Sequence, residues 1–190
     1  MKVGVLALQG AFREHRQALE RLGAKVIEVR LPEQLKTLNG VVIPGGESTT
    51  MAKLMSAYGL DMALKDFYER GGAVWGTCAG AIAIASDIVG YPEQPRLGLM
   101  NLSVERNAYG RQVDSFEVDV NVEGLETPFH TIFIRAPRIA RVGSEVEVLA
   151  TFQDEPILVT QERLMATVFH PELSGDDRVH GVFLERVVPG

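Results

Sequence analysis

The stretch 73–85, Ala-Val-Trp-Gly-Thr-Cys-Ala-Gly-Ala-Ile-Ala-Ile-Ala, narrows the folds open to this chain more than any other. A short apolar run of strand length enters a Gly-x-Cys-x-Gly turn, and a run of small, helix-compatible residues leaves it. Such a turn holds its central residue in a strained backbone conformation with the side chain pushed outward, so its neighbours must be nearly free of bulk. Gly76, Ala79 and Gly80 meet that demand around Cys78, the sole cysteine of the chain. A sulfur at the start of a helix lies near unpaired backbone N–H groups and the positive end of the dipole, a setting that favours thiolate. By itself the turn names no reaction.

The rest of the chain reads as an α/β fold built to carry that turn. Residues 3–8 form a continuous apolar run, as expected of a central parallel strand covered on both faces, and Gln9-Gly10 end it. Residues 11–22 predict an amphipathic helix with Phe12, Ala18, Leu19 and Leu22 inward and Arg13, Glu14, Arg16, Glu20 and Arg21 outward, stopped by Gly23. With a strand over 25–29 this opens a doubly wound sheet. After a polar connection, a strand over 40–43 runs into Pro44-Gly45-Gly46-Glu47-Ser48-Thr49-Thr50. Two glycines followed by hydroxyl residues able to cap a helix place bare N–H groups at the carboxyl edge of the sheet, where open α/β sheets bind ligands. Helices are expected over 50–58 and 61–70.

Beyond about residue 88 the texture changes. Tyr91-Pro92-Glu93-Gln94-Pro95 reads as a rigid loop, followed by strands around 102–105, 115–120, 130–134, 146–152 and 157–160 with little helix between them. A last strand over 164–169 delivers His170-Pro171-Glu172. A closing helix over about 177–187 packs Val179, Val182, Phe183 and Val187 onto the sheet. The expected architecture is a flavodoxin-like, three-layer open sheet, mostly parallel, with an antiparallel or mixed extension, in one domain spanning 1–190.

Composition removes several classes of function. A net charge of −6, a pI near 5.3 and no basic cluster argue against nucleic acid or an anionic membrane as partner. A lone thiol forms no internal disulfide and suits a reducing compartment, so a cytoplasmic location is expected. No apolar run approaches the length that crosses a bilayer, and no signal peptide is expected.

A thiolate nucleophile needs an imidazole to move its proton, and the imidazole needs a carboxylate to fix its tautomer. Cys78, His170 and Glu172 supply these in chain order. Residues i and i+2 of an extended segment point the same way, which would bring Glu172 beside His170, with Pro171 stiffening the piece between. His15 and His180 fall within helical patterns and are read as surface or packing residues, whereas His130 opens a strand with no acid partner nearby and is given no role. An acyl transfer through sulfur also needs donors for the oxyanion, and the backbone N–H groups of Ala79 and Gly46 are the candidates. A Gly-Gly peptide rotates at low steric cost, so that hole is expected to be assembled only on docking.

Taken together, Pro44-Gly45-Gly46-Glu47-Ser48, Gly76-Thr77-Cys78-Ala79-Gly80 and His170-Pro171-Glu172 resemble the class I (triad) glutamine amidotransferases. Further segments are similar to the glutaminase subunits of pyridoxal 5′-phosphate synthases. They are residues 4–10, 105–112, 114–117 and 133–137, and Tyr109 stands where a phenylalanine is usual. The resemblance implies the class I amidotransferase fold and hydrolysis of L-glutamine to glutamate and ammonia through a γ-glutamyl thioester on Cys78, with no cofactor and no metal. It implies a glutamine site lined by Gly46, Glu47, Ser48, Arg106, Ile134 and Arg135. It also implies delivery of ammonia to a separate synthase subunit, a dodecameric core ringed by glutaminase subunits, which builds the vitamin B6 cofactor from a pentose phosphate and a triose phosphate. In such enzymes docking switches the glutaminase on, and Gln9 and Gly10 are expected to contribute to that coupling. Two rivals stay open: an amidotransferase of the same class serving another acceptor, and a flavodoxin-like module whose cysteine senses oxidation.

Overall fold

The computed structural model describes residues 1–106 and 115–187. Strand β1 (Lys2–Leu6), helix α1 (Phe12–Arg21) and strand β2 (Lys25–Val29) form the opening unit, with β1 and β2 parallel from Lys2↔Lys25 to Leu6↔Val29. A 3-10 turn over Pro32–Thr37, where the sequence suggested only a polar connection, leads to β3 (Gly40–Ile43). Helices α2 (Ser48–Ala57) and α3 (Leu60–Glu69) return the chain to β4 (Ala73–Thr77), and α4 (Ala79–Ile84) begins directly after Cys78. Then come β5 (Ala85–Ile88), β6 (Met100–Glu105), β7 (Ser115–Val120), β8 (Phe129–Ile134), β9 (Arg138–Val142), β10 (Glu147–Phe152), β11 (Glu155–Gln161) and β12 (Leu164–Thr167). Helix α5 (Arg178–Leu184) closes the described chain.

The main sheet has the order β10-β11-β12-β4-β3-β1-β2, parallel from β12 to β2 and antiparallel at β10 and β11. Helix α1 packs against α5, and α2 against α3 and α4. From β1 the chain winds first toward β2 and later toward β4, so right-handed crossovers put those two groups of helices on opposite faces. The three layers explain why β3, β4 and β12 are buried along their whole length and read as unbroken apolar runs. Trp75, Phe129, Phe133, Phe169 and Phe183 are among the large side chains sealed in the core.

Several expectations need correcting. Among the described residues only β10 and β11 extend the main sheet; β5-β6-β9 and β7-β8 form separate small sheets. Strand β9 was missed because Arg-Ile-Ala-Arg-Val lacks a clean period of two and follows Pro137, a pattern that also suits a loop. Helix α4 stops at Ile84 and Ala85 already pairs in β5, since a run of alanine and isoleucine carries no stop signal of its own. Leu22 is 42% exposed because the helix ends one residue earlier, and His15 takes the inward position instead. Residues 107–112 and Asp114, including Tyr109, which carried part of the resemblance, lie outside the described residues. Among the described residues no helix is long and apolar enough to cross a membrane.

The elbow depends on backbone packing against backbone. A methyl group on Gly76 would collide with the carbonyl of Gly80, and one on Gly80 would collide with the carbonyl oxygen of Ile43 in β3. We therefore expect Gly80→Ala to lower unfolding free energy by about 3 kcal/mol in chemical denaturation, the upper part of the overpacking range. Gly181→Ala in α5, where a methyl group meets nothing within 4 Å, should instead be neutral or stabilising by roughly 0.5–1 kcal/mol.

Candidate active site

Strand register brings the chemistry together. Ile43 of β3 and Ala166 of β12 both pair with Gly76 of β4, and Thr167 pairs with Thr77. The loops that leave these three adjacent strands therefore start at the same height of the carboxyl edge. They carry Gly45-Gly46, Cys78 and His170. Cys78 has φ 50° and ψ −106°, a backbone state that L residues rarely adopt. It is clamped by a hydrogen bond from its own N–H to the Thr167 carbonyl (2.8 Å) and by its carbonyl, which accepts from the Ala81 N–H (3.0 Å). The chain before it is fixed by β4 and the chain after it by α4, so the strain cannot relax locally.

The three proposed catalytic groups stand in line. His170 donates from Nδ1 to Glu172 Oε1 at 2.8 Å, which leaves the other ring nitrogen free to interact with Cys78, a neighbour that raises its pKa. The contact between His170 and Glu172 arises differently from the expectation. Pro171–Leu173 form a 3-10 turn rather than an extended segment, and this turn folds Glu172 back beneath the ring. Both side chains are buried, with His170 8% and Glu172 7% exposed. Burial alone pulls the His170 value down, but the hydrogen bonds and charges of Cys78 and Glu172 outweigh it and push it up to about 10. Glu172 is pushed upward by burial and pulled down more strongly by His15 and His170, so the net shift favours its ionised form.

These groups open onto a cavity of about 270 Å³ lined by Gly46, Glu47, Ser48, Cys78, Ala79, Ile82, Arg106, Ile134, Arg135, Pro137 and His170. Apart from Glu172, which stands behind His170, every site residue expected from the sequence faces this space. Cys78 Sγ lies 4.0 Å from the Ile134 carbonyl oxygen, at the end of β8. Arg135, the next residue, takes φ 43° and turns the chain around the rim. The Glu47 carboxylate accepts from Thr50 Oγ1 (2.6 Å), the Thr50 N–H (2.7 Å) and the Thr49 N–H (3.0 Å). Those bonds, with the Thr50 hydroxyl foremost, hold its pKa at about 2. Glu47 rather than a hydroxyl residue caps α2, because its extended backbone lets the longer side chain reach the first-turn N–H groups.

The model of the SNO glutamine amidotransferase family matches residues 5–189. This chain belongs to that family. It is 56% identical over 188 residues to the pyridoxal 5′-phosphate synthase subunit PdxT of Deinococcus radiodurans, covering 97% of this chain and 96% of the relative. A relative of the same description from Thermus thermophilus is 57% identical over 184 residues, covering 96% of each. A solved structure described as a glutamine amidotransferase superposes with a TM-score of 0.93 at 56% identity, covering 97% of this chain and 98% of the other. A chain from the structure of PurLQS of Thermotoga maritima shares the fold alone, with a TM-score of 0.72 at 18% identity.

Sequence reasoning about this amidotransferase missed two groups near the cavity. Gln94 accepts from Arg106 Nη1 at 2.7 Å and donates to Ser48 Oγ at 3.3 Å, while the Tyr91 ring lies 4.5 Å from the Arg106 guanidinium. The rigid loop was visible, but nothing in it foretold which side chain it would grip. The second group is His15 and His180, which are fully buried; His15 Nε2 stands 3.3 Å from Glu172 Oε2. Helical spacing held the signal, since 12, 15 and 19 fall on one face of α1 and 180 shares a face of α5 with 183. His130 also has acid partners, Asp119 (2.7 Å) and Glu117 (2.9 Å), but across the β7-β8 pair rather than along its own strand.

The raised value of His170 has a measurable consequence. Because it lies above the ordinary 6.5, the ring should keep its proton across neutral pH and lose it only as pH rises through about 10. Its contribution to stability is whole below pH 6.5 and is lost across that window. In the Cys78→Ala variant the foremost raising partner is gone, so an NMR titration of the His170 ring should show its midpoint displaced downward.

Proposed function

We propose that the chain is the glutaminase subunit of a pyridoxal 5′-phosphate synthase, hydrolysing L-glutamine and passing the ammonia to a separate synthase subunit. The observation that carries this reading is the line Cys78, His170, Glu172 at the wall of a cavity whose size suits one amino acid. The Cys78 thiolate attacks the side-chain amide carbon of glutamine, forming a C–S bond and an oxyanion. The N–H of Ala79, first in α4 and therefore without an intrahelical acceptor, is one donor to that oxyanion; the N–H of Gly46 is the other. His170 gives its proton to the leaving nitrogen as the C–N bond breaks, so ammonia departs and a γ-glutamyl thioester remains. The ring, now neutral, takes a proton from water as that water attacks the thioester, and glutamate leaves with the thiolate restored. Throughout, Glu172 holds Nδ1–H and keeps the other nitrogen aimed at sulfur.

Substrate orientation falls to the rest of the cavity. Arg106, braced by Gln94 and Tyr91, is the partner for the α-carboxylate, while Glu47, Ser48 and the backbone at Ile134 and Arg135 serve the α-amino end. Coupling to the synthase has a physical route in Gln9 and Gly10. Gln9 Nε2 donates to the Glu47 carbonyl at 2.6 Å, and Gly10 packs so tightly on the Gly45 carbonyl that a methyl group there would collide with it. A partner that moves the end of β1 would thus reset the Gly45-Gly46 peptide, supporting a hole assembled on docking.

Glutamate release from glutamine, with and without the synthase subunit, tests the reading. Activity should rise on adding the partner and vanish in Cys78→Ala. Arg106→Ala should raise KM by roughly tenfold to a hundredfold, the range for losing a charged hydrogen bond. Partner-dependent activity that survives Cys78→Ala would defeat the proposal.

A further inference from the structure

We propose that His15 is a positioning residue for the reaction: its Nε2–H, presented from α1, faces the second oxygen of Glu172 and holds that carboxylate turned toward His170, while His180 fixes the tautomer. The inference rests on the catalytic reading of Cys78, His170 and Glu172 given above. Glu172 Oε1 is committed to His170. Glu172 Oε2 is fully buried, makes no hydrogen bond among the described residues, and has His15 Nε2 3.3 Å away. The same nitrogen is 3.2 Å from Thr77 Oγ1, and on the far side His15 Nδ1 is 2.9 Å from His180 Nε2. Neither His15 nor His180 lines the cavity, so both act from behind.

The tautomers follow from what burial tolerates. With the proton on Nε2, His15 points N–H at the carboxylate and its Nδ1 accepts from His180 Nε2–H. His180 Nδ1, a buried atom with no partner among the described residues, is then a bare acceptor. The opposite assignment sets a lone pair against the carboxylate and leaves His180 with a buried, unpaired N–H, which folded proteins tolerate less readily than an unpaired acceptor. Burial favours the neutral form of both rings. Burial lowers His15 against the attraction of Glu172, and burial with the neighbouring His15 lowers His180 further. The titratable groups facing His15 are Glu172 and His170 from the turn after β12 and His180 from α5, with Glu14 beside it on α1; Arg21 acts on His180. Trp75 walls the pair in, edge-on to His15 at 5.3 Å and to His180 at 5.0 Å.

Kinetics of the complex with the synthase subunit test this. His15→Met removes the donor, so kcat should fall by roughly one to two orders of magnitude with KM unchanged. The acid limb of the kcat profile should move to higher pH, because a carboxylate without its donor takes up a proton more readily. His15→Gln places an amide N–H at similar reach and should recover most of the loss; a His15→Met profile that superposes on wild type, or a His15→Gln variant no better than His15→Met, overturns the inference. Nitrogen NMR of the unaltered chain decides it without any variant: a protonated Nε2 on His15 supports the proposal and a protonated Nδ1 defeats it. Wild-type glutamate release that does not require Cys78 would instead overturn the reading of the triad, and this inference with it.

Discussion

Backbone-to-backbone approach at the carboxyl edge is the constraint on which this structure depends. The segments leaving β1, β3, β4 and β12 approach closely through glycine: Gly80 rests on the Ile43 carbonyl, Gly10 on the Gly45 carbonyl, and a methyl on Gly45 would stand 2.6 Å from His170 Cε1 and 3.3 Å from Cys78 Cβ. Side chains at these points would wedge the strands apart or push the imidazole off the sulfur. The unfavourable φ of Cys78 persists because the surrounding sheet leaves it no alternative. Position at the site is thus set by the least adorned residues in the chain.

Much of this was legible beforehand, for a physical reason. Parallel strands buried on both faces must be written as continuous apolar runs, and a tight strand-to-helix turn must be written with glycine, so 40–46, 73–80 and 164–172 could hardly be disguised. The second half was harder. Half-exposed antiparallel strands alternate weakly, as in β9, and the strand runs do not say which sheet they join, so β6, β7 and β8 looked like part of the main sheet. Contacts made across space were invisible as well. His130 meets Asp119 only because β7 and β8 are registered that way, and Gln94 reaches Arg106 across a loop. His15 was read as a surface or packing residue; its spacing from Phe12 and Leu19 agrees with the packing it shows, but the contact with Glu172 lay across space.

The four histidines show how environment divides one chemistry. His130, exposed between two carboxylates, is raised chiefly by Asp119, and His170, though buried, is raised by Cys78 and Glu172 against the pull of burial. His15 is lowered because burial outweighs Glu172, already shared with His170, and the smaller pull of Glu14; His180 is lowered by burial with no carboxylate to oppose it. One residue type is thus pushed in opposite directions by the balance between burial and the anions within reach.

The placement of Trp75 has an optical corollary. It is the only indole in the chain, it is fully buried, and its Nε1–H is held by Thr167 Oγ1 at 3.2 Å, while two imidazole edges abut its ring. Imidazolium quenches indole emission far more than neutral imidazole does. The intensity of this chromophore is therefore an intrinsic gauge of protonation in the sealed corner behind the thiol, readable without any label.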